Sequence, residues 1–425
     1  MNGTRSRWLA LLLAALVVGA AACKSSSTST ATPQVTSTGV TGTPSAKLSG
    51  TITVGASTAL TGVYVGLGQP EFQGYQLAVE DLNAQGGLLG KEVKLVSADD
   101  ASQPSAGTTN VRHMITDEHA VAIFGPATSN VTAALESLVT QYKVPLFSAA
   151  GTDISVTTTN FTKYMFEMIP NTVMEGNAIG AYMCQQPYTR YATIADDINF
   201  GHSKVEGFLA VLKKCKPDLQ IVKQEWTRFG GTNFEPYISA VLGANPQVVF
   251  APFYAGEMLA FTKQAQGFGL FDKVKVVAPY DTTPLEAFGT PGPAGAVDYQ
   301  HAPFYAIDTP QIKAFAQAYH AKYGDWPADE SVTAYVSVQT WAEGVKKAGT
   351  FDGTKVADAL SGATVPTIVG NITLRACDHQ AELPMYVGVL APNASYGFDT
   401  ITNLYVAQPS NIMLTCAQAQ ALQPK

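Results

Sequence analysis

The chain has 425 residues, of which 46% are hydrophobic and only 14% are charged. This length exceeds one ordinary hydrophobic core and suits two compact lobes, and the composition excludes disorder across the whole chain. The formal net charge is −7, and without a leader that carries Arg5 and Arg7 it falls to about −9, with 24 basic residues against 33 acidic ones. We therefore expect no basic surface for nucleic acid.

The first residues predict a signal peptide over residues 1–22. Arg5 and Arg7 precede an apolar run at residues 8–18, and the small residues 19–22 come directly before Cys23. A membrane-spanning helix is the alternative. Residues 8–22 favour the signal peptide, because a run of about 15 apolar or small residues is shorter than the roughly 20 that a bilayer requires. A cysteine after small residues resembles the bacterial lipobox, in which the thiol is diacylated and becomes the new N-terminus. We predict lipidation of Cys23, with an unmodified signal-peptide cysteine as the alternative.

The next segment, residues 23–47, is predicted to be a flexible tether. From Lys24 to Lys47 it consists almost wholly of Ser, Thr, Pro, Gly and Ala. Such a composition buries too little apolar surface to offset the entropy of ordering. A flexible chain of about 24 residues spans roughly 27 Å root-mean-square. We thus expect an exported, lipid-anchored protein on the outer face of the cell membrane or in the periplasm.

Beyond Leu48, short apolar runs alternate with amphipathic helical patterns. Alternation of this kind predicts a parallel, doubly wound sheet. The pattern restarts near Tyr191, which predicts a second Rossmann-like lobe. Two long helical patterns and a β-rich tail follow it. The predicted elements are strands 51–57, 92–98, 121–125, 144–148, 191–195, 219–225, 247–251 and 274–278, helices 72–83, 310–322 and 331–348, and the tail from 370 onward.

Two loops of the first lobe are candidates for binding an anion. In open α/β sheets, ligands bind at the carboxyl ends of strands, where helix N-termini offer free N–H groups. Ser129 lies in such a strand-to-helix loop, and Ala150 and Thr152 follow the next strand. The alternatives are a plain helix N-cap for Ser129 and a turn-stabilising hydroxyl for Thr152.

Motifs for catalysis, metals and cofactors are absent from the sequence. It contains no Gly-x-Ser-x-Gly, His-Glu-x-x-His, Walker loop or Cys-x-x-Cys, and its six histidines are scattered. The acid pairs Asp99-Asp100 and Asp196-Asp197 lie at strand ends, but adjacent carboxylates in a strand point to opposite faces. We expect no enzyme, no metal and no cofactor.

A family resemblance rests on several blocks. These are Ile52-Thr-Val-Gly, Leu60-Thr-Gly, the helix that begins at Glu71 and leads into Asn-Ala-Gln-Gly-Gly-Leu-Leu-Gly-Lys91, and Ser97-Ala-Asp-Asp. The chain resembles the Leu/Ile/Val-binding family, the type I solute-binding proteins of ABC importers, from about residue 48 to 390. The resemblance implies two Rossmann-like lobes joined by three crossovers near 169–170, 296–301 and 367–370. Lobe 1 would then comprise 48–169 plus 300–367, and lobe 2 would comprise 170–299 plus 368–425.

The resemblance also implies a ligand site between the lobes. Ser129, Ala150 and Thr152 would hold a carboxylate and an ammonium, and Phe200 and Tyr254 would close over the ligand from lobe 2. An acid that neutralises the ammonium is expected where this chain reads Pro279-Tyr280-Asp281. By strict register that position is Tyr280, and Asp281 serves only if the loop shifts by one residue. A first-lobe aromatic of branched-chain binders falls on Leu67, with Tyr64 close by.

The resulting prediction is a substrate-binding lipoprotein that presents a small polar solute to an ABC permease. The ligand is expected to be an amino acid, branched-chain or related. An amide, a urea-like compound or an aromatic acid is the alternative ligand, and an anchored sensor subunit is the alternative role.

Four cysteines remain once Cys23 is lipidated. Cys184 and Cys215 end neighbouring helices that flank one strand, so they are expected to meet at disulfide distance. We also predict a Cys377–Cys416 pair in the tail, with free buried thiols as the alternative.

Overall fold

A computed structural model describes residues 48–424 of the chain. The predicted signal peptide, the lipidation of Cys23 and the tether over 23–47 lie outside the described residues. Within residues 48–424, no helix is both long and apolar enough to cross a bilayer.

The first lobe is built on a five-stranded parallel sheet. Its strand order is β2-β1-β3-β4-β5, and the inner half of β1 is buried because helices cover both faces of the sheet. The elements are β1 Thr51–Thr58, α1 Val65–Ala84, β2 Glu92–Asp99, α2 Pro104–Thr116, β3 Ile123–Phe124, α3 Ser129–Tyr142, β4 Leu146–Ser148, a 3₁₀ turn at Ile154–Thr157, and β5 Met165–Glu167.

The chain then enters the second lobe, which repeats the alternation of strands and helices. Its helix α4 packs against α5 so closely that a Cβ on Gly176 would lie 2.7 Å from the carbonyl carbon of Gly207. The elements are α4 Thr172–Cys184, β6 Arg190–Asp196, α5 Asn199–Cys215, β7 Gln220–Thr227, α6 Glu235–Gly243, β8 Val248–Phe250, α7 Ala255–Gly267, α8 Leu270–Lys273, β9 Lys275–Ala278, α9 Thr282–Phe288 and β10 Val297–Gln300.

After β10 the chain returns to the first lobe. Helix α11 is buried along most of its length and packs against α1, where Gly74 permits the close approach: a Cβ there would lie 2.3 Å from the Ser331 carbonyl oxygen. The elements are α10 Pro310–Tyr323, α11 Asp329–Ala348, α12 Gly353–Leu360, and the hairpin strands β11 Thr364–Thr367 and β12 Gly370–Thr373.

Two long antiparallel strands complete the second sheet. They are β13 Met385–Asn393 and β14 Phe398–Ala407, followed by the short helices α13 Pro409–Ile412 and α14 Cys416–Leu422. The strand order is β14-β13-β10-β9-β8-β6-β7, and β13 pairs antiparallel with β10. The described chain therefore confirms the predicted α/β class with two Rossmann-like lobes.

The third crossover differs from the expected position near 367–370. Strand β12 pairs with β11, and the next segment stays with the first sheet, where the Ala381 amide donates to the Glu167 carbonyl at 2.9 Å. The chain joins the second sheet only at β13. Strand content in the tail does not indicate which sheet a strand joins, and here the pairings keep residues 374–381 beside the first sheet.

Both predicted cysteine pairs are disulfide-bonded in the structure. The Cα atoms of Cys184 and Cys215, the last residues of α4 and α5, lie 5.9 Å apart. Those of Cys377 and Cys416 lie 5.6 Å apart. The first bond lies within the second lobe, whereas the second joins the C-terminal tail to the segment beside β5.

Candidate functional site

The carboxyl ends of the strands in the two sheets face a shared cleft. The space between them, including its open mouth, is about 560 Å³. Side chains of both lobes and of the second crossover line it. They include Tyr64, Leu67, Ser129, Ala150, Thr152 and Glu330 from the first lobe, Asp196, Phe200, Phe229, Tyr254 and Glu257 from the second, and His301 from the crossover.

The first-lobe wall contains the predicted hydroxyl cradle. Ser129 is the first residue of α3 and not its N-cap, which is Thr128. Its Oγ accepts a hydrogen bond from the Asp153 amide at 3.1 Å, so the serine ties the start of α3 to the loop after β4. Ala150 and the buried Thr152 lie on that loop and line the same cavity. This wall presents hydroxyl groups and a helix N-terminus, both of which favour an anion.

The second-lobe wall contains the predicted aromatic pair. Phe200 and Tyr254 have ring centroids 5.9 Å apart. Behind them the buried Lys204 donates to Tyr254 Oη at 2.6 Å and forms an ion pair with Glu175. The Lys204 ammonium also lies 4.9 Å from the centroid of the Phe200 ring, within range of a cation–π contact. A buried cation thus holds both rings in place.

Tyr280 and Asp281 do not line the cavity. Tyr280 is fully buried behind the wall, and its Oη accepts from Thr262 Oγ1 at 3.3 Å. Asp281 is the N-cap of α9, and its Oδ1 accepts from the amides of Thr282 at 2.6 Å and Asp329 at 3.0 Å. The loop after β9 therefore brings neither side chain to the cavity surface, because both are held by the lobe interior.

Three buried acids that the sequence analysis did not assign to the site line the cavity instead. Asp196 ends β6, Glu257 lies in the first turn of α7, and Glu330 lies in the first turn of α11. Asp196 was noted only as part of a strand-end acid pair. Acids in first helical turns commonly offset the helix dipole, so Glu257 and Glu330 gave no distinct sequence signal.

Asp196 and Glu257 form a hydrogen-bonded pair of carboxyl groups. Glu257 accepts from Tyr64 Oη and from the Gly230 amide, each at 2.7 Å, and Asp196 accepts from Thr227 Oγ1 at 2.8 Å. Burial, with the Asp196 charge beside it, raises the pKa of Glu257 to about 9. The two groups share a proton near neutral pH, and the surrounding donors satisfy them.

Glu330 differs because its carboxyl group lacks such donors. It is 3% exposed and is hydrogen-bonded to the carboxyl group of Asp281. Apart from this mutual hydrogen bond, Glu330 Oε2 and Asp281 Oδ2 have no hydrogen-bond partner among the described residues. Burial and the nearby Asp281 charge raise the pKa of Glu330 well above its usual range.

Direct contacts hold the two lobes together across the cleft. The ring of Tyr64 stacks on Phe229 with centroids 4.9 Å apart, and the Gly256 amide donates to the Val63 carbonyl at 3.1 Å. At the hinge, His301 Nε2 lies 2.9 Å from Glu175 Oε1, and burial lowers the pKa of this histidine to about 3. These contacts correspond to a closed clamp.

The described residues contain no group of three or more His, Cys, Asp or Glu side chains that would hold a metal ion. The site is therefore built from hydroxyls, aromatic rings and carboxyl groups.

Comparison with known proteins places the chain in a family. Residues 51–394 match the model of the periplasmic binding protein family. The leucine-, isoleucine-, valine-, threonine- and alanine-binding protein of Pseudomonas aeruginosa is 26% identical over 325 residues, covering 76% of this chain and 85% of the relative.

Two solved structures share the fold. A solute-binding protein of an ABC transporter from Rhodopseudomonas palustris, in complex with 3,4-dihydroxybenzoic acid, has a TM-score of 0.77 at 21% identity, covering 84% of this chain and 98% of that one. A leucine-binding protein from Thermotoga maritima has a TM-score of 0.74 at 21% identity, covering 84% and 99%. The chain therefore belongs to the type I periplasmic binding proteins of the Leu/Ile/Val-binding family, which are exported, non-enzymatic proteins that bind solutes for ABC transporters.

Proposed function

We propose that this protein captures an amino acid, branched-chain or related, and presents it to an ABC permease. The proposal rests on the lining of the cavity. One wall offers hydroxyl groups and a helix N-terminus, which suit a carboxylate, and the cavity also contains acidic groups, which suit an ammonium. No Lys or Arg of the described residues lines it. An amino acid carries both charges on one carbon. The Pseudomonas aeruginosa relative, named for binding five amino acids, supports this ligand class.

The proposed mechanism is a two-step clamp. The ligand carboxylate binds first to Ser129, Ala150 and Thr152, which all belong to the first lobe. Closure then brings Phe200 and Tyr254 over the ligand. Because the closed form gains the contacts of both lobes, the ligand shifts the population toward the shape that the permease recognises.

Lipid anchoring is the second part of the proposal. Its support is the apolar run followed by small residues and Cys23. Labelling cells with a radioactive fatty acid should label the wild-type protein and not a Cys23→Ser variant, and the variant should leave the membrane fraction. Equal labelling of both would contradict anchoring at this cysteine.

An aromatic acid is the second candidate ligand. The stacked Tyr64 and Phe229 rings and the nearby Phe200 offer flat apolar surface to a benzene ring. The Rhodopseudomonas palustris protein holds 3,4-dihydroxybenzoic acid within a similar fold. This candidate leaves the unpaired oxygens of Glu330 and Asp281 without a donor, which makes it the weaker of the two.

A thermal-shift screen of the mature protein separates the candidates. A ligand that binds only the folded state raises the melting temperature by mass action. We expect shifts with amino acids and none with benzoate or its hydroxylated derivatives. Shifts confined to the aromatic acids would replace the first candidate by the second.

A further inference from the structure

We propose that Glu330 of the first lobe binds the ammonium of the ligand and that Asp281 of the second lobe supports the Glu330 carboxyl group from behind in the closed clamp. The inference rests on the proposed function. It differs from the sequence-based expectation, which took the acid only from the second lobe, at Tyr280 or Asp281.

The position of Glu330 fits a ligand that carries both charges on one carbon. Thr333 Oγ1 donates to the Ala149 carbonyl at 2.8 Å, so the first turn of α11 is fixed beside the loop that carries Ala150 and Thr152. Glu330 lies three residues before Thr333 and lines the same cavity as the cradle. The first lobe thus places an acid next to the carboxylate cradle.

The hydrogen bonds around Glu330 also indicate a missing donor. Apart from their bond to each other, Glu330 Oε2 and Asp281 Oδ2 have no partner among the described residues, whereas Glu257 accepts from Tyr64 and Gly230, and Asp196 accepts from Thr227. A buried acceptor without a donor is costly. An ammonium supplies three N–H donors and a positive charge to Glu330.

The two acids come from opposite sides of the hinge. Glu330 begins α11 of the first lobe, and Asp281 begins α9 of the second. The Asp329 amide donates to Asp281 Oδ1 at 3.0 Å, which places Asp281 directly behind Glu330 in the closed clamp. Closure therefore places a second acid behind the one that contacts the ammonium.

Calorimetric titration of the wild type and three variants tests this assignment. The wild type is first titrated with each of the twenty standard L-amino acids. The tightest-binding one, and the carboxylic acid that lacks its ammonium, are then titrated into wild type, Glu330→Gln, Asp281→Asn and Glu343→Gln. Glu343 lies on the same helix, is partly exposed, does not line the cleft, and is the matched control.

We expect Glu330→Gln to lose about 10- to 100-fold in affinity for the amino acid, because a charge-assisted hydrogen bond is removed. Its affinity for the deaminated acid should be unchanged or higher, and Glu343→Gln should match the wild type for both. Asp281→Asn should lose less than Glu330→Gln. Titrations in two buffers of different ionisation enthalpy should detect a proton released on binding to the wild type and none for Glu330→Gln.

The outcomes separate the assignment from the proposed function. If an amino acid binds the wild type and Glu330→Gln equally well, the Glu330 assignment is wrong and the function stands. If no amino acid binds the wild type, the function fails and the assignment fails with it. Should Glu330→Gln fold poorly, Glu330→Asp is titrated in its place, because it keeps the charge. If the ratio of its affinities for the two ligands equals that of the wild type, the assignment is also overturned.

The C-terminal tail contacts both lobes. Helix α13 packs on α4 of the second lobe, where Asn177 Nδ2 donates to the Ile412 carbonyl at 2.6 Å. Four residues later, Cys416 is bonded to Cys377. The Cys377 segment belongs to the first lobe through its contacts with β5, and Gln423 Nε2 donates to the Cys377 carbonyl at 2.8 Å. The tail therefore crosses from the second lobe to the first.

We infer that this strap, residues 413–416 closed by the Cys377–Cys416 bond, limits how far the ligand-free clamp opens. It adds a fourth covalent connection to the three crossovers. Because it is attached to the second lobe at α4 and to the first lobe at Cys377, rotation of the lobes must stretch or twist it. The Cys184–Cys215 bond lies within one lobe and cannot have this effect.

Small-angle X-ray scattering of ligand-free protein tests the strap. We expect a larger radius of gyration for Cys377→Ser/Cys416→Ser than for the wild type, and no change for the control Cys184→Ser/Cys215→Ser. An insertion of Gly-Ser-Gly after Met413 keeps the disulfide and should give the same increase. Equal radii for the wild type and the insertion variant would refute the limiting effect of the strap. This comparison holds even if the cysteine variant does not fold.

Discussion

At the scale of single residues, the cleft combines hydroxyl donors with buried acids that differ in their hydrogen bonding. Thr152 is the plainest test of the carboxylate cradle. Thr152→Val keeps the shape of the side chain and removes its hydroxyl, so amino-acid affinity should fall about 10-fold through loss of a hydrogen bond to a charged group. Calorimetry measures the loss, and Thr109→Val, an exposed position on α2, should not change affinity. Equal affinities for both variants would remove Thr152 from the cradle.

Tyr64 connects the lobes by two separable contacts. Its hydroxyl donates to Glu257 at 2.7 Å, and its ring stacks on Phe229. Tyr64→Phe keeps the stack but leaves Glu257 with one donor fewer, so we expect ligand affinity to fall about 3- to 10-fold. Tyr64→Leu removes both contacts and should lose more. If titration gives the two variants the same affinity, ring stacking does not contribute to closure.

At the scale of elements, the packing of α11 on α1 positions Glu330 and the cradle loop together. Gly74→Ala would place a Cβ 2.3 Å from the Ser331 carbonyl oxygen, which forces the two helices apart. We expect a loss of about 1–3 kcal/mol in the free energy of unfolding and a weaker affinity for the ligand, since the first turn of α11 moves. Urea denaturation and calorimetry measure the two effects.

The control for this packing prediction is a glycine in open space. Gly243 ends α6, and no atom lies within 4 Å of a Cβ added there. Gly243→Ala should stabilise the protein by up to about 1 kcal/mol, because alanine has less backbone freedom in the unfolded chain. A similar loss in both variants would mean that helix separation is not the cause.

At the scale of the whole molecule, many buried acids make stability depend on pH. Burial raises the pKa of Glu71 to about 8 and that of Glu136 to about 9. An acid whose pKa is raised by folding binds more protons in the folded state, so stability falls as pH rises toward the folded-state value. Burial lowers the pKa of His301 to about 3 and that of His379 to about 4, which costs stability below about pH 6.5.

These opposing effects cancel between about pH 4.5 and 6.5, and above about pH 6.5 the acids act alone, so stability falls. Scanning calorimetry should give a higher melting temperature at pH 6 than at pH 8. Glu71→Gln should reduce this difference by on the order of 2 kcal/mol in unfolding free energy, because the amide mimics the protonated acid and does not titrate. A melting temperature that rises from pH 6 to pH 8 would contradict the prediction.

The sequence by itself determined the fold and the first-lobe cradle. Alternation of apolar runs with helical periodicity requires parallel sheets covered by helices, and Ser129, Ala150 and Thr152 follow strands that end at one sheet edge. Contacts within one lobe depend on local spacing and strand order, which the sequence pattern contains. The pairing of Cys184 with Cys215 was predictable on the same ground, since each ends one of two neighbouring helices.

Only the tertiary structure decided which acids line the cavity and where the tail goes. Glu330 and Asp281 are separated by 49 positions in the sequence and lie on different lobes. Their contact therefore arises from hinge closure and not from any local sequence pattern. Tyr280 and Asp281 face the lobe interior because Thr262 and the α9 N-terminus hold them there. Likewise, β12 pairs with β11 in a separate two-stranded sheet and joins neither large sheet, a pairing that strand propensity alone does not specify.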